Sequence, residues 1–227
     1  MDIADLQTRL GAHGYPVPVD GRYGPLTRAT VLAAMTDPPD RLVTASNVKA
    51  LAESWAVDPA AVWAIRDVEA TGKPFVEGRP TILFEPHRFS RATGRRFDAD
   101  YPKISYRVWD RSKYPATQRA RWDQPLDAVR LDVDAAFASA SYGAFQVLGE
   151  NFAACGEADS FAFALSEAQG EDAQLKHFGR FVEQAGLVPA LRRLDWAAFA
   201  RGYNGSAYFV NRYDERLATA FRERRKA

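Results

Sequence analysis

Helical periodicity runs through most of this 227-residue chain and fails in one long stretch, Phe75 to Tyr114, where Gly, Pro and Arg accumulate. That interruption restricts the fold more than any other feature. Helices are expected on both sides of it, and inside it the best strand candidate is "TILFEPHRF". The pattern predicts a mainly α (α+β) architecture, a helical domain carrying a small β insert with long loops. Before the interruption, helices are expected over Thr44 to Trp55 and from Pro59 onward, with Asp58 as N-cap and Gly72 as the stop. After it, from Asp132 on, helices are expected over Asp134 to Ser141, around Phe152, over Ser166 to Gln184 and near Pro189 to Leu194. Two more follow, "WAAFARGYNG" capped by Asp195, and Asn211 to Arg224.

Residues 1–36 read as a unit of their own. Leu6 and Leu10 share one helical face, "GYPVPVDGRYGPLT" is rich in turn residues, and a short helix over Thr27 to Met35 takes Thr27 as its N-cap. The linker-like "TDPPDR" puts a boundary near Asp37 to Leu42, dividing the chain into 1–38 and 39–227. Thirty basic against twenty-nine acidic residues leave a net charge of +1, which points to no nucleic-acid partner. The lone Cys155 cannot form an internal disulfide, which fits folding in a reducing cytoplasm, and it reads as a small buried hydrophobe. The start "MDIADLQTRLG" has neither a basic nor an apolar leader region, so a cytoplasmic protein without a signal peptide is expected, with a monomer as the default.

The stretch "AIRDVEATGKPF" raises the chemical question. Val62, Ile65 and Glu69 stand at i, i+3 and i+7, so a carboxylate continues an apolar stripe in the last turn of its helix. Desolvation and the negative end of the helix dipole both disfavour its ionised form, which suits a general acid near neutral pH. The competing reading is an exposed Glu paired with Arg66 or Lys73.

Three blocks decide between them: "TILFEPHRFSRATGRRFD", "ASASYGAFQVLGENFAACG" and the run from "SEAQGEDAQLKHF" through "ARGYNGSAYFVNRYDERLATAF". In this order they resemble the phage-type N-acetylmuramidase domain of endolysins, over about Thr44 to Phe221. The resemblance implies a lysozyme-like fold, a peptidoglycan substrate and no metal or organic cofactor. It also places Glu69, in "VEATG", on the family's general acid. Ala70-Thr71 stand where Ser-Gly is more usual, a departure that touches hydrogen bonding around the acid rather than the acid itself.

The same resemblance suggests Glu85 as a second carboxylate, orienting a water or stabilising positive charge on the sugar, against a reading as a buried partner of Arg88 or Arg91. Asp98 is a further candidate. "SYGAFQVLG" and "GYNG" are expected to line the sugar cleft through Ser141, Tyr142, Gly143, Phe145, Gln146, Tyr203 and Asn204. Tyr142 and Phe145 would offer ring faces, Gln146 a donor and acceptor, and Gly143 close backbone approach. His13, His87 and His177 lack metal-ligand spacing, so no metal site is expected.

"LQTRLGAHGYPVPVDGRYGPLTRATVLAAM" resembles part of a peptidoglycan-binding repeat, which suggests wall contacts at Tyr15, Asp20, Arg22 and Tyr23; the other reading is a helical hairpin that packs on the catalytic domain. The basic "FRERRKA" suits a helix end in solvent, with contact to anionic outer-membrane lipids as a further hypothesis. The resemblance as a whole implies an endolysin that cleaves the β-1,4 bond between N-acetylmuramic acid and N-acetylglucosamine, held in the host cytoplasm until a holin opens the membrane. The alternatives are a lytic transglycosylase that forms 1,6-anhydromuramic ends and a non-catalytic wall-binding protein.

Overall fold

The computed structural model describes residues 1–36, 42–69 and 73–226. Most of the proposed linker, together with Ala70, Thr71 and the helix stop at Gly72, lies outside them. The chain opens with α1 (Ile3–Ala12) and α2 (Pro25–Ala34), followed by α3 (Ala45–Ser54) and α4 (Pro59–Glu69). The interruption then supplies the hairpin β1 (Phe75–Val76) and β2 (Arg79–Pro80), the strand β3 (Ile82–Phe84) and α5 (Pro86–Ala92). Next come α6 (Gln118–Val129), α7 (Val133–Ala138), β4 (Ala140–Tyr142) and β5 (Val147–Leu148). The chain closes with α8 (Ser160–Gln169), α9 (Glu171–Gln184), α10 (Val188–Arg192), α11 (Trp196–Asn204) and α12 (Tyr213–Arg224). The architecture is mainly α with a small β insert.

Local capping sets several of these starts. The Thr44 hydroxyl accepts from the Asn47 N–H at 3.2 Å, Asp58 from Ala60 at 2.9 Å and Asp195 from Ala198 at 3.0 Å. Thr27 is a correction. Gly24 is the cap and Pro25 begins the helix, while Thr27 is buried in its first turn, accepting from the Gln7 amide at 3.0 Å. Two further expectations fail at glycine and at a strand. Gly170 splits the helix expected over Ser166 to Gln184 into α8 and α9, and the end of the helix expected through Ser141 is instead β4.

β3, β4 and β5 form an antiparallel sheet in that order, with Leu83 opposite Ser141 and Tyr142 opposite Val147. Helix α6 holds this sheet in place. The Gln118 side-chain Oε1 accepts from the Ile82 N–H at 2.8 Å, and the buried Trp122 donates to the Pro80 carbonyl at 3.1 Å. On the far side α12 packs along α4, where Arg216 donates to the Val68 carbonyl at 2.8 Å and Arg224 grips Asp67 with two bonds of 2.6 and 2.7 Å. These bonds satisfy orphan carbonyl and carboxylate groups at the last turn of α4, the turn that carries Glu69.

Leu6, Leu10, Val31 and Met35 belong to the same continuous core as the sheet and the later helices. Arg9 pairs with Asp159 at 2.6 Å and Arg28 with Asp123 at 2.6 Å, so α1 and α2 are fastened to the rest of the molecule as the hairpin reading expects. Among the described residues no helix is long and apolar enough to cross a membrane.

Candidate active site

The stripe on α4 is real: Val62 and Ile65 are fully buried, and Glu69 follows on the same face at the helix end. Its carboxylate is enclosed by surrounding protein although some of the residue's surface stays accessible. Desolvation is the main cause that pushes the Glu69 carboxyl from 4.5 up to about 7, against a hydrogen bond from Asn204 and the charge of Arg216, which pull it down. Arg66, one of the two cations expected as its partner, is engaged elsewhere, paired with the buried Glu171. Asn204, at the end of α11, donates its amide N–H to Glu69 Oε1 at 2.8 Å, and its own Oδ1 is buried without a partner among the described residues.

Glu85 sits where β3 passes into α5, its backbone N–H bonded to the Ser139 carbonyl at 2.8 Å and its side chain 16% exposed. The Tyr114 hydroxyl donates to it, and His87 Nδ1 lies 3.3 Å from Oε2. Arg88 and Arg91, the proposed partners of a purely structural Glu85, both turn to Glu150. Burial pushes the Tyr213 phenol up to about 12, and the charges of both Glu69 and Glu85 add to the rise, so the two carboxylates act on one ring of α12. Asp98 is occupied otherwise. Burial works against its ionisation, yet hydrogen bonds from Ser105, at 2.6 Å, and Ser90, with Arg107 nearby, hold its carboxyl below the ordinary range.

A helix-end carboxyl raised to about 7, a second carboxylate whose charge also reaches Tyr213, and a helical frame with a three-stranded sheet now stand together. Over residues 58–225 the sequence matches the model of the N-acetylmuramidase family. The chain belongs to that family. The crystal structure of a Burkholderia AP3 phage endolysin is similar to it at 32% identity with a TM-score of 0.73, covering 99% of this chain and 96% of that one. No curated protein matches the chain. The muramidase is thus a glycoside hydrolase of lysozyme type with peptidoglycan as its substrate, on a lysozyme-like, mainly α fold.

The structure sorts the muramidase's expected cleft residues. Asn204 meets Glu69, whereas Tyr142 and Phe145 are fully enclosed and offer no ring face to a sugar. Tyr142 donates its hydroxyl to the Phe137 carbonyl at 3.1 Å, and Phe145 stacks on Phe178 at 4.4 Å. Ser141, Gly143 and Gln146 close the β4–β5 turn on itself. Ser141 donates to Gln146 Oε1 at 2.9 Å, and Gln146 donates to the carbonyls of Thr81, at 3.0 Å, and Gly143, at 2.9 Å. Packing by itself requires a glycine at 143: it has a φ of +70°, and a Cβ there would come within 2.3 Å of Gln174 and 2.7 Å of Glu167. Tyr203 is half-buried, with its hydroxyl bonded to the Phe145 carbonyl at 2.6 Å and its ring stacked on Phe199.

Beneath this turn lies a network that sequence reasoning missed. His177 is buried between Glu167, 2.8 Å from Nδ1, and Glu157, 3.0 Å from Nε2, with Gln174 bonded at 2.8 Å to the Ala144 N–H. Only the i, i+10 spacing of Glu167 and His177 hinted at it, and that spacing has no helical meaning. Cys155 is buried beside it, its thiol pushed up to about 12 by burial.

In the N-terminal pair, Asp20 is taken up by the turn. Gln7 accepts from the Asp20 and Gly21 N–H groups at 3.0 and 2.9 Å and donates to the Asp20 carboxylate at 2.8 Å. Tyr15 and Tyr23 pack on the core, while Arg22 is exposed. At the C-terminus Arg224 and Arg225 are tied to Asp67 and Asp58, which leaves less free charge for a lipid surface than "FRERRKA" suggests.

Proposed function

We propose that the muramidase hydrolyses the β-1,4 bond between N-acetylmuramic acid and N-acetylglucosamine with Glu69 as general acid and Glu85 as the second carboxylate. The observation that carries this reading is the setting of Glu69: its burial raises the carboxyl to about 7 despite the Asn204 hydrogen bond, which favours the charged form. As the glycosidic C–O bond breaks, Glu69 gives its proton to the leaving oxygen. Glu85 balances the positive charge developing on the sugar and orients the water whose oxygen adds to the anomeric carbon, and the proton that water loses makes good the one Glu69 gave up. Mass spectrometry of digested, purified peptidoglycan tests the reaction type. Reducing muramic ends carrying one added water are expected, and 1,6-anhydro ends would replace this reading with a transglycosylase.

Among the described residues Asn204 supplies the one hydrogen bond to the Glu69 carboxylate, and it favours the charged form. Asn204→Ala is therefore expected to raise the acid's pKa further and to move the basic limb of the kcat/KM profile upward by up to about one pH unit. A limb that stays in place while the rate falls would assign Asn204 to substrate contact alone. For the N-terminal pair we infer wall contact through its exposed turn around Arg22, since the other three proposed residues are engaged in the turn or packed on the core.

A further inference from the structure

Two large aromatic side chains stand exposed among the described residues, Phe209 at 65% and Trp109 at 45%, and Trp109 is the one whose ring meets a partner of Glu85. Trp109 follows the 74% exposed Val108, in a loop that otherwise contributes Ile104, Ser105 and Tyr106 to the interior. The ring is not adrift. It meets Tyr114 at 6.5 Å between centroids, at a tilt of 59°, and Tyr114 is the residue whose hydroxyl donates to Glu85. Tyr106, on the same loop, lies close enough for the Glu85 charge to add to the rise that burial gives its phenol, up to about 12, and its hydroxyl is buried without a partner among the described residues. An open aromatic face is thus attached through one ring contact and one hydrogen bond to the second carboxylate.

We propose that Trp109 is a sugar-stacking platform that receives a pyranose of the glycan strand on the Glu85 side of the site, with Tyr114 fixing the distance between platform and carboxylate. The proposal rests on the functional reading above. A pyranose presents a flat, apolar face of C–H bonds with hydroxyls around its edge, and an indole is the side chain that covers such a face with most area and least lost rotamer freedom. None of the ring pairs in the sheet or under the β4–β5 turn can do this, because those rings are enclosed. Trp109 therefore takes the part first expected of Tyr142 and Phe145.

The test compares wild type, Trp109→Ala and Trp109→Phe by steady-state kinetics on soluble, uncrosslinked glycan strands and by calorimetric binding of an N-acetylglucosamine oligosaccharide. Trp109→Ala is expected to raise KM and the oligosaccharide Kd about five- to tenfold with kcat within about twofold, and Trp109→Phe to stay within about twofold of wild type throughout. Unchanged KM and Kd in Trp109→Ala would overturn the platform. So would wild-type dimerisation, seen by sedimentation, that Trp109→Ala abolishes without altering Kd, since the indole then serves a second copy of the chain. Strands that stay uncleaved by wild type would sink the functional reading, while the Kd comparison still decides the platform.

Discussion

Glu69→Gln is expected to slow clearing of purified peptidoglycan by about 10²- to 10⁴-fold while the protein stays folded. Gln keeps the size of Glu and can still accept the Asn204 N–H, but it has no proton to give. The same variant carries a second, independent signature. A carboxyl raised from 4.5 to about 7 by folding contributes stability that is fully present below its unfolded pKa and lost as the pH climbs through the folded one. The loss corresponds to about 3 kcal/mol between pH 4.5 and 7. Gln avoids it. Melting curves should therefore show Glu69→Gln several degrees more stable than wild type at pH 8 and level with it at pH 4. Wild-type activity should correspondingly fall as the pH rises above about 7. Equal clearing by both proteins would remove Glu69 from the reaction, and equal melting at pH 8 would mean that its carboxylate is solvated after all.

The helical pattern drew attention to Glu69 but left an exposed, ion-paired Glu equally open, and the family resemblance decided between them. A carboxylate in phase with Val62 and Ile65 breaks a local rule, and such breaks concentrate where chemistry is done. Two of the three expected caps were legible because the information is local: Asp58 and Asp195 bond to N–H groups two or three residues away. What failed was non-local or two-sided. Helix α6 has Pro125 inside it and lies past the aperiodic stretch, so it gave no helical pattern, yet Trp122 and Gln118 anchor the sheet from it. Strand β4 is buried on both faces, and without alternation Ala140-Ser141-Tyr142 looked like the tail of a helix. The glycan-facing roles expected of Gln146 and Ser141 came from the resemblance of "SYGAFQVLG", with the donor and acceptor inventory of Gln146 in support. Inventory says that a side chain can bond, not that Thr81, sixty-five residues away, will take the bond first.

The largest stability effect outside the site is expected at Arg66. Glu171, the first residue of α9, has a fully buried side chain that accepts from Arg66 Nε and from the Val43 N–H at 2.9 Å, joining α9, α4 and the segment that enters α3. Arg66 is itself only 13% exposed and lies over Trp63, one turn before Glu69 on α4. Arg66→Met fills the aliphatic space but leaves a carboxylate without its counter-charge in the interior, at an expected cost of about 3–5 kcal/mol. Adding Glu171→Gln keeps an acceptor for Val43 and removes the stranded charge, so the double variant should recover most of that loss. Denaturant unfolding of the two single variants and the double variant measures the coupling directly. A cost below about 1 kcal/mol for Arg66→Met would show that water reaches Glu171. A large cost without recovery in the double variant would place the stabilisation in the packing of the Arg66 stem on Trp63. In either case the α4–α12 contacts of Arg216 and Arg224 would carry more of the placement of the last turn of α4, and Arg224→Ala would be the variant expected to disturb catalysis.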